Sequence, residues 1–260
     1  MADVVELMRE GAVLTVALNR PGSHNAMTPE MIATLTTIFR EVALDETVRV
    51  VVLTGNGRSF CAGADLSFMR AAADYSFAEN VADGEAIFDL MLAIDSCPRP
   101  VIGRVNGAAI GGGAGLVSCC DSVVAVARAT LAFSETRLGI VPAVISPFVL
   151  AKIGSGPGRE LFLSGERFSA EYARHIGLVQ HVVPDEAALD AKVAERVGQF
   201  LQAAPGAQAA AKQLIGAVSG QPKEAMRAFT TQLIAQRRAS AEGREGMSAF
   251  LQKRPPWWQA

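Results

Sequence analysis

The sequence predicts a parallel α/β protein followed by a helical C-terminal part. Three observations carry this. Short apolar runs at Arg49–Leu53, Val101–Val105 and Ser122–Ala127 have the length and composition of strands buried on both faces. Glycine-rich loops and helical stretches separate them, the rhythm of strands joined by crossover helices. After Pro142 strand signals fade, and segments rich in Ala, Leu, Glu, Gln and Arg take over.

Taken in order, Val4–Arg9 and Val13–Leu18 alternate or run apolar around Glu10-Gly11 and read as a hairpin. Asn19-Arg20-Pro21-Gly22 is a turn. Thr28-Pro29-Glu30 opens a helix, with Thr at the N-cap and Pro in the first turn, running to about Ala43. The strand at Arg49–Leu53 ends at Thr54-Gly55, and Arg58–Asp65 is a Gly/Ala-rich loop. Residues 66–76 carry no clear pattern. Phe77–Ile94 reads as a helix ended by Pro98. Val101–Val105 leads into a second glycine loop, Asn106–Gly115, then a helix over Leu116–Cys120 and the strand Ser122–Ala127. Beyond Pro142, helices are predicted over Ile153–Ser164, Ser169–Ile176, Glu186–Ala203, Pro205–Val218 and Lys223–Phe250.

Bulk properties exclude several function classes. Of 260 residues, 50% are hydrophobic and 19% charged, a globular composition. The net charge of -2 offers no basic stripe for nucleic acid and nothing that steers the chain to an anionic membrane. A membrane span needs about 18 apolar residues; the longest candidate, Val101–Val117, is broken by Arg104, Asn106 and six glycines. MADVVELMRE lacks a basic region followed by an apolar one, so the expected location is cytoplasmic. Cys61, Cys97, Cys119 and Cys120 show no CxxC spacing, and with three separated histidines no metal site is expected.

The two glycine loops carry the chemistry. Phe60-Cys61-Ala62-Gly63-Ala64-Asp65 and Asn106–Gly115 each follow a buried strand and strip side chains from the backbone, so that a ligand can reach main-chain N–H groups. The second loop leads into a helix, whose positive end favours an anion. Two such loops could aim two donors at one oxygen, as a thioester carbonyl turning into an enolate requires. A dinucleotide fingerprint fails, because Leu116 stands where its third glycine is needed, and no glycine here is followed by Lys as a P-loop demands. Either loop alone could serve only close helix–strand packing.

At these residues the chain resembles the crotonase (enoyl-CoA hydratase/isomerase) family. Arg20-Pro21 with His24-Asn25-Ala26-Met27 resembles its first CoA-contacting loop. Phe60–Asp65 resembles the first oxyanion loop and Asn106-Gly107 with Gly111–Gly113 the second. Phe133-Ser134-Glu135 with Leu138–Pro142 resembles the segment carrying a catalytic glutamate. Gly165–Ala170, Gly177-Leu178-Val179 and Val182-Val183-Pro184 match later signatures, and Phe250–Pro255 the C-terminal end. The resemblance implies a crotonase-like spiral of ββα units forming two stacked sheets over residues 1–200. It implies a helical C-terminal region at 201–260 that mediates trimerisation, giving a homotrimer or homohexamer. The implied partner is an acyl-CoA thioester, with no cofactor beyond the CoA of the substrate, in lipid metabolism. Donors are implied at the N–H groups of Ala62 and Gly112. CoA and substrate contacts are implied at Ala26, Ala62, Gly63, Ala64, Asp65, Leu66, Gly111, Gly112 and Pro142, with Phe250 and Lys253 serving a neighbouring subunit.

One departure bears on the reaction. Family hydratases with two glutamates place the first three residues past Gly112, where this chain has Gly115. The second corresponds to Glu135. Gly-Gly-Gly-Ala-Gly-Leu-Val and Val-Pro-Ala-Val-Ile-Ser-Pro look like the bacterial methylglutaconyl-CoA and carboxygeranoyl-CoA hydratase branch. Glu135 is thus expected to orient water, take its proton and return one to the α-carbon, its pKa raised beside Phe133 and Leu138. A local alternative has it cap a helix or pair with Arg137. Asp65 is expected to bond loop backbone near the adenine end, while Asp74, Tyr75, Glu79, Asp83 and Glu85 read as a solvated face. Three functions compete: a hydratase, a Δ3,Δ2-enoyl-CoA isomerase with Glu135 as sole proton shuttle, and a non-catalytic acyl-CoA binder.

Overall fold

Apolar runs that cannot face water on either side set the centre of the fold. The computed structural model describes residues 3–72 and 74–259; Met1, Ala2, Ala73 and Ala260, which fall within the two expected regions and the 66–76 stretch, lie outside them. Strands β1 (Val5–Glu10) and β2 (Val13–Leu18) form the expected antiparallel hairpin. Strand β3 (Val50–Gly55), buried at every position, pairs parallel with β2, and β4 (Val101–Val105) pairs parallel with β3. Strands β6 (Ser122–Val126) and β9 (His181–Val183) extend this sheet to six strands in the order β1-β2-β3-β4-β6-β9.

The strands of the second sheet carry no local signal in the sequence. Strand β5 (Ala109–Ile110) pairs parallel with β7 (Thr130–Ala132), which pairs antiparallel with β8 (Arg167–Ser169). The two-sheet spiral is the predicted fold class.

The crossovers are helical. Helix α1 (Pro29–Leu44) starts as read, its Thr28 hydroxyl accepting the Met31 N–H at 3.2 Å, and buries Met31, Leu35, Phe39 and Val42. Residues 66–72 form a short helix, α2, starting at Leu66. Helix α3 (Phe77–Asp95) opens with a reciprocal capping box between Ser76 and Glu79 and packs against α1. Helix α4 spans Gly112–Cys119, four residues earlier than expected, so three glycines of the second loop (Gly112, Gly113 and Gly115) lie inside it. Tertiary contact overrides propensity here: a Cβ on Gly113 would come 2.3 Å from the Cys61 carbonyl oxygen.

One predicted helix starts later than read and another is split. The helix expected over Ile153–Ser164 is α6 (Ser155–Ser164), and an unexpected helix, α5 (Ser146–Ile153), precedes it and ends at Gly154, whose φ is 70°. The stretch Lys223–Phe250 divides at Ser240 into α10 (Arg227–Ala239) and α11 (Ala241–Leu251), because the Ser240 backbone turns extended and its hydroxyl caps the Gly243 N–H. Helices α7 (Ala170–His175), α8 (Glu186–Leu201) and α9 (Pro205–Val218) complete the chain. Helix α8 packs on the large sheet. Helices α9 and α10 bury no residue in the single chain.

The tail is tied back to the start of β3. The Arg49 guanidinium donates to the carbonyls of Leu201, Ala203 and Trp258 at 3.3, 2.7 and 3.3 Å.

Candidate active site

Both glycine loops leave the same edge of the large sheet, after β3 and β4, and then pair with each other. Cys61 N–H donates to Ala108 O at 3.0 Å, and Ile110 N–H donates to Cys61 O at 2.9 Å, a parallel bridge between Cys61 and Ala109. The first loop then bridges to Met27: Met27 N–H donates to Gly63 O at 2.7 Å and Asp65 N–H to Met27 O at 2.9 Å.

These bonds decide which amides are free. Peptide groups of an extended segment alternate sides. Ala62 N–H donates to the His24 carbonyl at 3.0 Å, so it is occupied and cannot serve as the expected first donor. Gly63 N–H faces the Cys61 sulfur, whose pKa burial pushes up to about 12. Ala64 lies between the two bonds to Met27, so its N–H points away from Met27; among the described residues it has no acceptor. The free donor of the first loop is therefore two residues later than the sequence reading placed it. In the second loop Gly111 N–H donates to Ala132 O at 2.8 Å, whereas Gly112 N–H, first in α4, has no acceptor among the described residues. The Gly112 expectation is thus available at the positive end of α4.

The Gly111–Ala132 bond also delivers the carboxylate. Past Ala132 the chain passes buried Phe133 and enters a 3-10 turn at Glu135–Leu138. A Cβ built on Gly111 would lie 3.1 Å from Glu135 Oε1. Glu135 is half-buried, and its Oε2 is enclosed with no hydrogen-bond partner among the described residues. Burial raises its pKa above the ordinary 4.5, as expected, although Leu138 is exposed rather than packed beside it. Pairing with Arg137 is not realised: Arg137 Nε donates to the Ser164 carbonyl at 3.1 Å.

Around this centre, an ion pair fastens the first CoA-contacting loop to the first oxyanion loop. Arg20 Nη1 donates to the Ala26 carbonyl at 2.5 Å and to Asp65 Oδ2 at 2.9 Å. Asp65 Oδ1 accepts the Ser67 N–H and hydroxyl at the start of α2, and these bonds with Arg20 hold the Asp65 carboxyl down at about 2. Asp65 thus bonds loop backbone, as read. Leu66 is exposed and Pro142 is buried on the segment after Glu135.

Two structural residues escaped the sequence reading. Asn25 is wholly buried at φ 57°, a conformation Asn tolerates. Its Oδ1 accepts the Arg20 N–H at 2.9 Å, and its Nδ2 donates to Asn56 O and Ser59 O at 2.9 and 2.8 Å. Asn106 likewise donates to Gly55 O and Gly57 O at 2.9 and 2.8 Å. The HNA and NG pairs were the only signal, and both were read as CoA or glycine-loop motifs.

Phe250 and Lys253 do not meet the loops within one chain. Helix α11 lies against Trp258, which sits by Arg49 at the opposite end of β3 from the first loop. Six strand residues separate those ends by about 20 Å. Phe250 is 83% exposed. A cavity of about 610 Å³ between the large sheet and α8, lined by Thr15, Val52, Arg104 and Asp190, holds neither Glu135 nor Gly112. Among the described residues no cluster of three or more His, Cys, Asp or Glu could hold a metal ion, and no helix is long and apolar enough to cross a membrane.

A two-sheet α/β spiral with paired glycine loops and a half-buried carboxylate beside the second defines an enzyme of the crotonase fold. The chain belongs to the enoyl-CoA hydratase/isomerase family, whose model matches residues 8–260. It is 34% identical to the 2,3-dehydroadipyl-CoA hydratase of Escherichia coli over 249 residues, covering 95% of both chains. Among solved structures, an enoyl-CoA hydratase from Shewanella pealeana superposes with a TM-score of 0.95 at 34% identity, over 98% of this chain and 96% of that one. AtuE of Pseudomonas aeruginosa gives a TM-score of 0.95 at 36% identity, over 99% and 100%.

Proposed function

We propose that this enzyme adds water across the double bond of a 2-enoyl-CoA thioester. The observation that carries the reading is Glu135: a buried, unpaired carboxylate oxygen beside the first turn of α4, where Gly112 N–H is free. The thioester oxygen sits between Ala64 N–H and Gly112 N–H, which stabilise the enolate as charge moves onto it. Glu135 holds a water, removes its proton as the oxygen bonds to C3, and returns a proton to C2. The product is a 3-hydroxyacyl-CoA, and the reading calls on no cofactor or metal. Ala26, Gly63, Asp65, Leu66, Gly111 and Pro142 line the CoA and acyl path.

The C-terminal region from residue 201 acts in assembly as a homotrimer or a hexamer of two trimers. Two features support this: α9 and α10 bury nothing in the single chain, and Phe250 and Lys253 can reach a site only on a neighbour. The expected setting is the cytoplasm.

A second reading, Δ3,Δ2-enoyl-CoA isomerisation, is favoured by one observation. Position 115, where a first glutamate would stand, carries no side chain, and a Cβ there would come 2.5 Å from Ile145 Cγ2. Isomerisation needs one proton shuttle only. Incubation with crotonyl-CoA and with a 3-enoyl-CoA decides: loss of conjugated absorbance from the first supports hydration. Appearance of conjugated absorbance from the second, with crotonyl-CoA untouched, supports isomerisation and overturns hydration.

A further inference from the structure

The space that a first glutamate would occupy is filled with hydrocarbon. Gly115 N–H donates to Gly111 O at 3.0 Å, so Gly115 lies about one helical turn past Gly111, the residue that opens α4, about 6 Å along the axis. Gly111 faces the Glu135 carboxylate; Gly115 faces Ile145 and Met91. A Cβ on Gly115 would meet Ile145 Cγ2 at 2.5 Å, Ile145 Cβ at 3.1 Å and Met91 Cε at 3.1 Å.

This wall is braced. Ile145 is 3% exposed, and its carbonyl accepts the Val149 N–H at 3.0 Å in the first turn of α5, which fixes its backbone. Met91 is fully buried on α3, its sulfur 3.7 Å from the Cys119 sulfur. Phe148, on the same turn of α5, packs against Phe88 of α3 with ring centroids 5.5 Å apart. Gly84 of α3 stands 3.8 Å, measured from its Cβ position, from Val144 Cγ2. In contrast, Leu138, Ile140 and Val141, which follow Glu135, are all more than half exposed. The segment after Glu135 is therefore exposed apolar surface first and, a few residues on, a closed apolar floor.

The geometry points to Ile145, backed by Met91, as the residue that sets acyl size, so that the site takes short hydrocarbon acyl groups. This rests on the acyl-CoA reading above. A packed interior does not yield without loss of contacts, so a longer chain must displace Ile145 or turn away from it.

The test compares trans-2-enoyl-CoA thioesters of four and ten carbons on wild type, Ile145→Ala, Ile145→Val and Ile145→Phe. Removing or adding a methylene in an apolar pocket is worth about 10- to 200-fold in discrimination. Wild type is expected to favour the four-carbon substrate in kcat/KM. Ile145→Ala should raise the ten- to four-carbon ratio at least about tenfold, Ile145→Val should raise it less, and Ile145→Phe should lower it. Should Ile145→Ala fail to fold, the Val and Phe variants still carry opposite signs. The same ratio read from binding of butyryl-CoA and decanoyl-CoA separates this inference from the reaction. Absent turnover with an intact binding ratio that shifts in Ile145→Ala overturns the hydratase reading alone. A wild type favouring ten carbons, or a folded Ile145→Ala with an unchanged ratio in both assays, overturns the role of Ile145.

Discussion

Gly111 and Glu135 stand so close that a methyl group on Gly111 would come 3.1 Å from the Glu135 carboxylate oxygen. The closeness follows from one backbone bond, Gly111 N–H to Ala132 O, which draws β7 and the turn after it against the start of α4. The carboxylate is thereby held by main chain rather than by a partner charge. Removing its charge should disturb chemistry more than structure: Glu135→Gln is expected to lower kcat by about 10²- to 10⁴-fold with thermal stability retained. Steady-state kinetics beside a melting curve check this, and near-normal turnover would remove Glu135 from the mechanism.

The pH dependence has two parts of opposite sign. Burial raises the Glu135 pKa above 4.5, and catalysis starts from the carboxylate, so kcat/KM should fall on the acid side through a pKa above that value. The protonated form is the one the fold prefers, so this group favours folding at low pH and loses that contribution as pH rises through its folded pKa. Asp65 behaves inversely. Its pKa is lowered from 3.8 to about 2, so its stabilisation is full above 3.8 and is lost as pH falls toward 2. Activity should therefore decline at a higher pH than the one at which acid unfolding begins. Coincident midpoints would contradict the assignment.

The amide of Gly112 can be isolated by comparing two substitutions. Proline is tolerated in the first turn of a helix and lacks the N–H, whereas alanine brings a Cβ but keeps it. Both must push aside the Met27 methyl, which lies 2.3 Å from the Cβ position. Relative to Gly112→Ala, Gly112→Pro should lose a further 10²- to 10³-fold in kcat, about the worth of one oxyanion donor. Equal activities would show that this N–H holds no oxyanion.

Asn25 joins two loops through its side chain while itself buried. Asn25→Ala leaves the carbonyls of Asn56 and Ser59 and the Arg20 N–H without partners and puts alanine at φ 57°. An expected loss of about 2 kcal/mol or more in unfolding free energy follows, readable from denaturant titration. A loss within about 0.5 kcal/mol, the range of ordinary surface changes, would refute the role.

Assembly is open to a direct measurement. The 27.3 kDa chain should elute and scatter light at a multiple of its own mass. Phe250→Asp, on a face 83% exposed in the single chain, should lower that mass or reduce activity without unfolding the protomer. A wild-type mass of one chain would end the assembly reading.

The legibility of this protein in its sequence follows from how local each determinant is. Strands β3, β4 and β6 were readable because burial on both faces leaves a continuous apolar run. Strands β5, β7 and β8, two or three residues long, are too short to show an alternation, and only their pairing defines them. Glu135 was legible through its motif and its neighbour Phe133. The free amide of the first loop lies two residues past the expected one, because which amide is left unbonded depends on what pairs with Met27 and His24 from another segment. The wall at Gly115 was invisible for the same reason: Met91 and Ile145 arrive from different helices, and nothing near Gly115 in the chain announces them.

The bonds made by Arg49 bear on how the chain is born. Its carbonyl acceptors at Leu201 and Trp258 are synthesised 152 and 209 residues after it. Until those residues are made, water alone can accept from the Arg49 guanidinium, so the start of β3 gains its ties to the helical tail only when the last part of the chain is in place.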